Sequence, residues 1–277
     1  MSGVRERLGH VLELAQCIGW FAAVDLVARR MLGLRKPVIV TWREHSLTVR
    51  PCDSDPFVLV QMFTRREYDP MPFWMARLNA AAAGLRERGR VPLIVDAGAN
   101  VGYSALYLAV HFPDAIVVAV EPDPACVEMI KVNSADCRRI RVVHAALWSH
   151  EGGVNLITPD GGSWANRVSD GGRTPSVTLD SLLASVPGAA PLILKLDIEG
   201  AETEVCRSAP QRISEFACIM IEPHDWMLPG SGGLSPLYEA VAGKKTDTLI
   251  RREVLMLFDC VVAADPKLIT ENSHSST

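Results

Sequence analysis

Several signals that sort a chain into a class are missing from this sequence. No two of its seven cysteines stand at the C-x-x-C spacing of a zinc site or a redox dithiol. They are scattered (Cys17, Cys52, Cys126, Cys137, Cys206, Cys218 and Cys260). Their odd number and apolar neighbours read as reduced thiols in a cytosolic protein. No apolar run reaches the roughly 20 residues of a membrane span. The most apolar early stretch, 11–28, is interrupted by Glu13, Gln16 and Asp25, and the two acids also break the core of a signal peptide. Positive charge is not in excess, with 28 Lys and Arg against 32 Asp and Glu. The net charge of −4 speaks against reliance on non-specific phosphate contacts, and no nucleic-acid partner is expected. What remains is ordinary globular composition, 48% apolar and 22% charged over 277 residues, ample for a substantial core.

Before Pro37 the apolar residues recur at helical spacing. Leu8, Val11, Leu12, Ala15, Ile18, Ala22 and Leu26 share one face, and Glu6, His10, Glu13 and Cys17 lie opposite. The spacing predicts one amphipathic helix ending near Gly33. It is expected to pack on its own domain or on a second copy, which leaves a homodimer open. The alternative is contact with a membrane surface. Trp20 and Phe21 widen the apolar face, and Arg29, Arg30, Arg35 and Lys36 follow it. The expected location is cytoplasmic, or peripheral to a membrane.

Residues 38–42 and 46–50 read as short strands, and 57–63 and 73–88 as helical. From residue 91 a different pattern sets in. Apolar runs at 91–95, 116–120, 141–145, 192–196 and 217–221 alternate with helical stretches at 102–111, 125–134, 178–184 and after Gly200. A helix at 235–242 has a start signal in Ser235-Pro236, and 248–250 and 254–258 read as last strands. Residues 150–176, rich in Gly, Ser, Asp and Asn, read as a loop or hairpin excursion. This alternation predicts an α/β chain with a parallel sheet covered on both faces. The expected division is an extension at 1–45, a segment packed on the core at 46–90, the main domain at 91–264 and a frayed tail at 265–277.

Ligands of such sheets bind beyond the carboxyl ends of the strands. Asp96, Glu121, Asp197 and Glu222 each stand at such an end. Beside the first lies a glycine turn, Val95-Asp96-Ala97-Gly98-Ala99-Asn100-Val101-Gly102-Tyr103. The dinucleotide string G-x-G-x-x-G fails there, because Asn100 and Tyr103 hold its second and third glycine positions. The P-loop fails too, for want of Gly-Lys-Ser/Thr. Glu121 follows Gly102 by 19 residues, and its two oxygens suit a pair of ribose hydroxyls.

The remaining string, D-x-G-x-N-x-G, resembles the first motif of S-adenosylmethionine-dependent methyltransferases, whose loop wraps the methionine end of the cofactor. Thr178-Leu179-Asp180, the run Lys195-Leu196-Asp197-Ile198-Glu199-Gly200-Ala201-Glu202, and Ile221-Glu222-Pro223-His224 resemble the FkbM family of these enzymes. Upstream, Leu47-Thr48-Val49-Arg50-Pro51, Ser54-Asp55 and Arg66-Glu67-Tyr68 are similar to the segment that leads into that family's core. The resemblance spans about residues 46–224, and K-x-D-x-E-G-x-E is its most specific part. It implies a Rossmann-like, seven-stranded class I methyltransferase sheet with helices on both faces. It also implies S-adenosylmethionine as cofactor and O-methylation of a sugar, glycolipid or polyketide-type small molecule. A dinucleotide oxidoreductase and a non-catalytic Rossmann-like module are the alternatives.

Methyl transfer to a hydroxyl is an in-line displacement that needs an oriented acceptor and a base. The residues expected around the cofactor are Asp96, Gly98, Ala99, Asn100, Gly102, Tyr103, Ser104, Glu121, Pro122, Asp123, Ala146 and Asp197. Asp96 holds the methionine end or caps the turn. Asn100 bonds the loop backbone or the methionine carboxylate. His224 is the first candidate base, because imidazole titrates near neutral pH. Glu199 and Glu222 are alternatives, and Asp197 positions cofactor or acceptor. Lys195 is expected in an ion pair, and Glu202 on a helix surface or in a salt bridge. Trp164 and Arg167, in the glycine-rich excursion, are the expected substrate contacts. No resident metal is called for. A divalent cation among Asp197, Glu199, Glu222 and His224 is the alternative.

Overall fold

The computed structural model describes residues 2–157, 167–224, 230 and 232–260. Thirteen strands are found among them. They are β1 (Val38–Trp42), β2 (His45–Val49), β3 (Val91–Ala97), β4 (Ile116–Glu121), β5 (Ile140–His144), β6 (Ala146–Leu147) and β7 (Gly152–Ile157). Then come β8 (Arg167–Asp170), β9 (Thr174–Val177), β10 (Ala189–Leu196), β11 (Cys218–Ile221), β12 (Thr246–Arg251) and β13 (Val254–Asp259). The main sheet runs in the order β5-β4-β3-β10-β11-β13-β12. Its first five strands are parallel, and β13 runs antiparallel to both neighbours.

The strands of this sheet alternate between two cores. In β3, Leu93, Val95 and Ala97 face one, and Ile94 the other. In β4, Val118 and Val120 face the first, and Val117 and Ala119 the second. Burial on both faces is why these strands read as unbroken apolar runs. The helices divide accordingly. α1 (Ser2–Ile18), α2 (Trp20–Met31), α3 (Asp55–Leu59), α4 (Met71–Glu87), α5 (Tyr103–His111) and α6 (Pro124–Asn133) serve one face. α7 (Leu179–Ala184), α8 (Glu202–Ser208), α9 (Pro210–Ser214) and α10 (Ser235–Val241) serve the other. Chain order reverses between β3 and β10, so the crevice where ligands bind opens above these two strands.

The N-terminal region departs from its sequence pattern in two ways. Gly19, at φ +81°, splits the expected single helix into α1 and α2. The inward face of α1 is also rotated. Leu14 is fully buried and Leu12 half exposed. Glu13, expected outside, pairs with Arg65 at 2.9 Å, and the His10 ring stacks on Phe57 at 4.4 Å. Hydrophobic spacing set this face only in part: Ala15, Ile18, Ala22 and Leu26 do pack on the core, while a cation and an aromatic ring of the domain draw Glu13 and His10 inward. α1 does pack on its own domain, against α3, β1 and a π-helical turn at Val60–Thr64 that continues α3. Among the described residues no helix is long and apolar enough to cross a membrane.

The glycine-rich excursion is more regular than a loop. β7 and β8 form an antiparallel hairpin, and with β6 and β9 they make a separate four-stranded sheet. The expected tail at 265–277 lies outside the described residues, as does Trp164. All seven cysteines are free thiols.

Candidate active site

The crevice holds a cavity of about 560 Å³. The turn after β3 forms one wall. Gly98 has φ +76°, and a Cβ there would stand 1.7 Å from the carbonyl oxygen of Asp197, so only glycine fits. Asn100 takes φ +49°, which aims its backbone N–H at Glu121 Oε2, 2.9 Å away. Glu121 Oε1 accepts a second N–H, from Asp123, also at 2.9 Å. Burial pushes the Glu121 carboxyl up to about 7, against the pull of these two N–H groups. The carboxyl thus sits fixed at the cavity wall with a lone pair left on each oxygen.

The opposite wall is acidic. Asp197 and Glu222 follow β10 and β11, and the Tyr68 hydroxyl donates to Asp197 Oδ2 at 2.9 Å. It also lies 3.3 Å from Glu222 Oε2, to which the Gln61 amide donates at 3.4 Å. Lys195 is buried beneath them. Its ammonium contacts Asp96 Oδ1 at 3.1 Å, Asp197 Oδ2 at 3.5 Å and the Gly98 carbonyl at 3.0 Å. Burial opposes that charge, but Asp96 and then Asp197 outweigh it and raise the lysine above its ordinary range. One cation therefore ties the glycine turn to the acidic wall.

Behind Glu222 lies His224, which is buried and absent from the cavity lining. Its Nδ1 bonds Glu202 Oε1 at 2.8 Å, and its Nε2 faces Glu199 Oε2 at 3.4 Å and Glu222 Oε1 at 3.9 Å. Burial would discharge the ring, but the hydrogen bond and charge of Glu202, with Glu199 and Asp197, push it up to about 9. Its carboxylate neighbours thus favour the charged ring over the neutral one. Burial, and next the Asp197 charge, push Glu222 up to about 8, while His224 restrains it. Asp197, Glu199 and His224 each place one ligand atom within 4.8 Å of the others, close enough to share one small cation. The protein's own basic groups there are the His224 ring, against Glu199, and Lys195, against Asp197.

The Methyltransferase FkbM domain matches residues 96–242, just over half of the chain. The chain belongs to the FkbM methyltransferase family. It is an S-adenosylmethionine-dependent methyltransferase, and S-adenosylmethionine is its cofactor. A stretch of 44 residues is 46% identical to methyltransferase sdnD of Sordaria araneosa, covering 16% of this chain and 17% of that protein. The chain thus aligns with about one sixth of that relative's length. Among solved structures it is similar to the methyltransferase domain of METTL16, at TM-score 0.43 and 13% identity over 86% of this chain and 78% of that one. It is also similar to the precorrin-6y C5,15-methyltransferase of Geobacter metallireducens GS-15, at TM-score 0.36 and 12% identity over 66% and 87%. The family match and the strand order fix the class; likenesses this remote add nothing to it.

The cavity of this FkbM methyltransferase fits its cofactor. Its volume lies within the roughly 300–1,000 Å³ of small-molecule sites. Gly98 lets backbone approach the ligand without a side chain between, and Glu121 presents paired acceptors to paired hydroxyls. Gly98, Ala99, Asn100, Ser104, Glu121, Pro122, Ala146, Asp197, Glu199 and Glu222 all line the cavity. Four residues expected at the cofactor stand behind the wall. Asp96 accepts from Ser104 Oγ at 2.6 Å and holds Lys195; Gly102 starts α5; the Tyr103 hydroxyl donates to the Thr48 carbonyl. Asp123 caps α6, accepting from the Ala125 N–H at 2.7 Å. Glu202, expected on the helix surface or in a salt bridge, is buried against His224. Arg167 lies in β8, and its side chain, like Trp164, is outside the described residues.

The sequence assigned no role to Tyr68 or Gln61, whereas Lys195 forms the ion pair expected of it, with Asp96 and Asp197. Tyr68 stood inside a family string, Arg66-Glu67-Tyr68, so a signal existed. Gln61 had none, because only the widened π-helical turn brings it to the cavity. Replacing Glu121 by Ala strands two buried N–H groups and removes the paired acceptors. A ten- to hundredfold weaker affinity for S-adenosylmethionine is expected, roughly the cost of one or two lost buried hydrogen bonds. Calorimetry measures it directly.

Proposed function

We propose that this methyltransferase transfers its methyl group to a hydroxyl oxygen of a neutral, hydroxyl-rich small molecule, a sugar, glycolipid or polyketide-type acceptor. The observation that carries the proposal is the acceptor end of the cavity. Gln61, Glu67, Asp197, Glu199, Glu222 and Glu253 crowd it with hydrogen-bond acceptors, against the cations Arg30, Arg65 and Lys195. A polyol satisfies such a wall with its O–H donors, whereas a phosphate or carboxylate would meet repulsion.

The cofactor supplies an activated methyl group with its leaving group attached. The chain's own residues orient the acceptor and take its proton. Glu222 is the base in this reading. It lines the cavity, Tyr68 and Gln61 hold its carboxyl, and its raised pKa makes it a stronger base than an ordinary carboxylate. His224, held toward its charged form by Glu202 and set behind the wall, positions Glu199 and Glu222 instead.

The test is a panel of glycosides, glycolipids and polyketide alcohols, with primary amines alongside. S-adenosylhomocysteine release gives the rate, and mass spectrometry with NMR locates the methyl group. O-methyl product from at least one hydroxyl class supports the proposal. N-methyl product alone would refute it.

A further inference from the structure

We infer that α2 is a docking face for an anionic lipid surface, which would border residues that line the cavity. Such contact would be peripheral, with the helix lying in the interface. α2 buries Ala23 and Leu26 and turns a second apolar face outward. Trp20, Phe21, Val24 and Met31 fall within about 100° of arc at helical spacing. They are 59%, 96%, 55% and 73% exposed, and Leu32 and Leu34 continue the strip at 72% and 48%. Six large apolar side chains along one short segment exceed the scattered exposure of an ordinary surface.

The charges around this strip choose its occupant. Residues 19–42 hold four cations, Arg29, Arg30, Arg35 and Lys36, against the single carboxylate of Asp25, in a chain of net charge −4. Arg29 pairs with Asp25 at 2.7 Å, and Arg35 and Lys36 are exposed. An apolar strip with basic residues at its end is the composition of a helix lying in a lipid interface. A second copy of the chain would bring the same cations face to face.

Arg30 connects this face to the site. It donates to the carbonyls of Pro51 and Asp53, at 3.2 and 2.6 Å, and lies 5.1 Å from the centre of the half-exposed Phe57 ring. Arg30 and Phe57 both line the cavity. A bilayer seated on α2 would therefore border residues that line the cavity. An acceptor anchored in that bilayer could present its hydroxyl without leaving the membrane, a consequence that rests on the reading above. Docking itself does not, so its test uses no acceptor.

The experiment is vesicle sedimentation of the full chain. Vesicles of phosphatidylcholine with phosphatidylglycerol are compared with phosphatidylcholine alone. The wild type is expected to partition onto the anionic vesicles, at least about tenfold more strongly than onto neutral ones. Phe21→Ser with Met31→Ser, and separately Arg35→Glu with Lys36→Glu, should each cut binding by about tenfold or more. High salt should erase the charge contribution. All four positions are exposed, so circular dichroism and S-adenosylmethionine affinity should stay as in the wild type. A wild type that remains in the supernatant at millimolar anionic lipid overturns the inference. So does equal binding by the double variants. A dimer that Phe21→Ser with Met31→Ser splits, without vesicle binding, would assign the face to a second copy instead.

Discussion

Glu222→Gln is expected to lower kcat by about 10²- to 10⁴-fold, the usual contribution of a positioned base. Affinity for S-adenosylmethionine should barely change. Glutamine keeps the size of the side chain and an oxygen for the Tyr68 hydroxyl, so the wall should survive while the proton acceptor is lost. The pH profile gives an independent reading. A base works only when deprotonated, and Glu222 is lifted to about 8. kcat/KM should therefore climb as pH rises through about 8 and level off above it. His224→Gln separates the two candidate bases. His224 restrains the Glu222 pKa, so removing it should move the rise to higher pH while leaving substantial activity on the plateau. If His224 were the base, the pattern would invert: His224→Gln would be inactive and Glu222→Gln mild.

Gly98→Ala should abolish measurable S-adenosylmethionine binding. The added Cβ would overlap the Asp197 carbonyl at 1.7 Å, and both partners are backbone, so a side-chain shift cannot relieve it. The positive φ adds roughly 1–2 kcal/mol for any residue with a Cβ. The glycine turn or the start of the Asp197 loop must move, and either motion deforms the cofactor wall. Calorimetry reads the binding, and thermal unfolding shows whether the chain still folds. Gly102→Ala is the companion variant, since its Cβ would meet the Ile130 Cα at a milder 3.1 Å, behind the wall. A folded Gly98→Ala protein with wild-type affinity would remove the turn from the binding site.

The parts of the fold buried on both sides were legible in one dimension. β3, β4, β10 and β11 showed themselves as apolar runs because neither face needs polar residues. The glycine turn was legible because steric demand at Gly98 leaves one residue type. Proximity across the sheet was not. Tyr68 reaches Asp197 across 129 positions, and nothing local to either announces the bond. His224 looked like an accessible base, since sequence shows a histidine after a strand but not the Glu202 carboxylate that bonds its Nδ1 from behind. The face of α1 was legible only in part, because Arg65 and Phe57, which draw Glu13 and His10 inward, lie about 50 residues on.

The cavity is built from the family domain, the chain before it and, through Glu253, the chain after it. Gly98–Asn100, Glu121 and Asp197–Glu199 come from the stretch that carries the family domain. Arg30, Phe57, Val58, Gln61, Met62, Arg65 and Tyr68 come from the chain before it. The base and its acidic neighbours Asp197 and Glu199 stay with the domain, while Gln61, Arg65 and Glu67 of the acceptor end belong to the leading segment. Changes in the first 70 residues would reshape the acceptor side while leaving Gly98–Asn100 and Glu121 in place. Divergence of specificity among relatives should therefore concentrate upstream of the glycine turn, and grafting that leading segment between two of them is the shortest route to exchanging their acceptors.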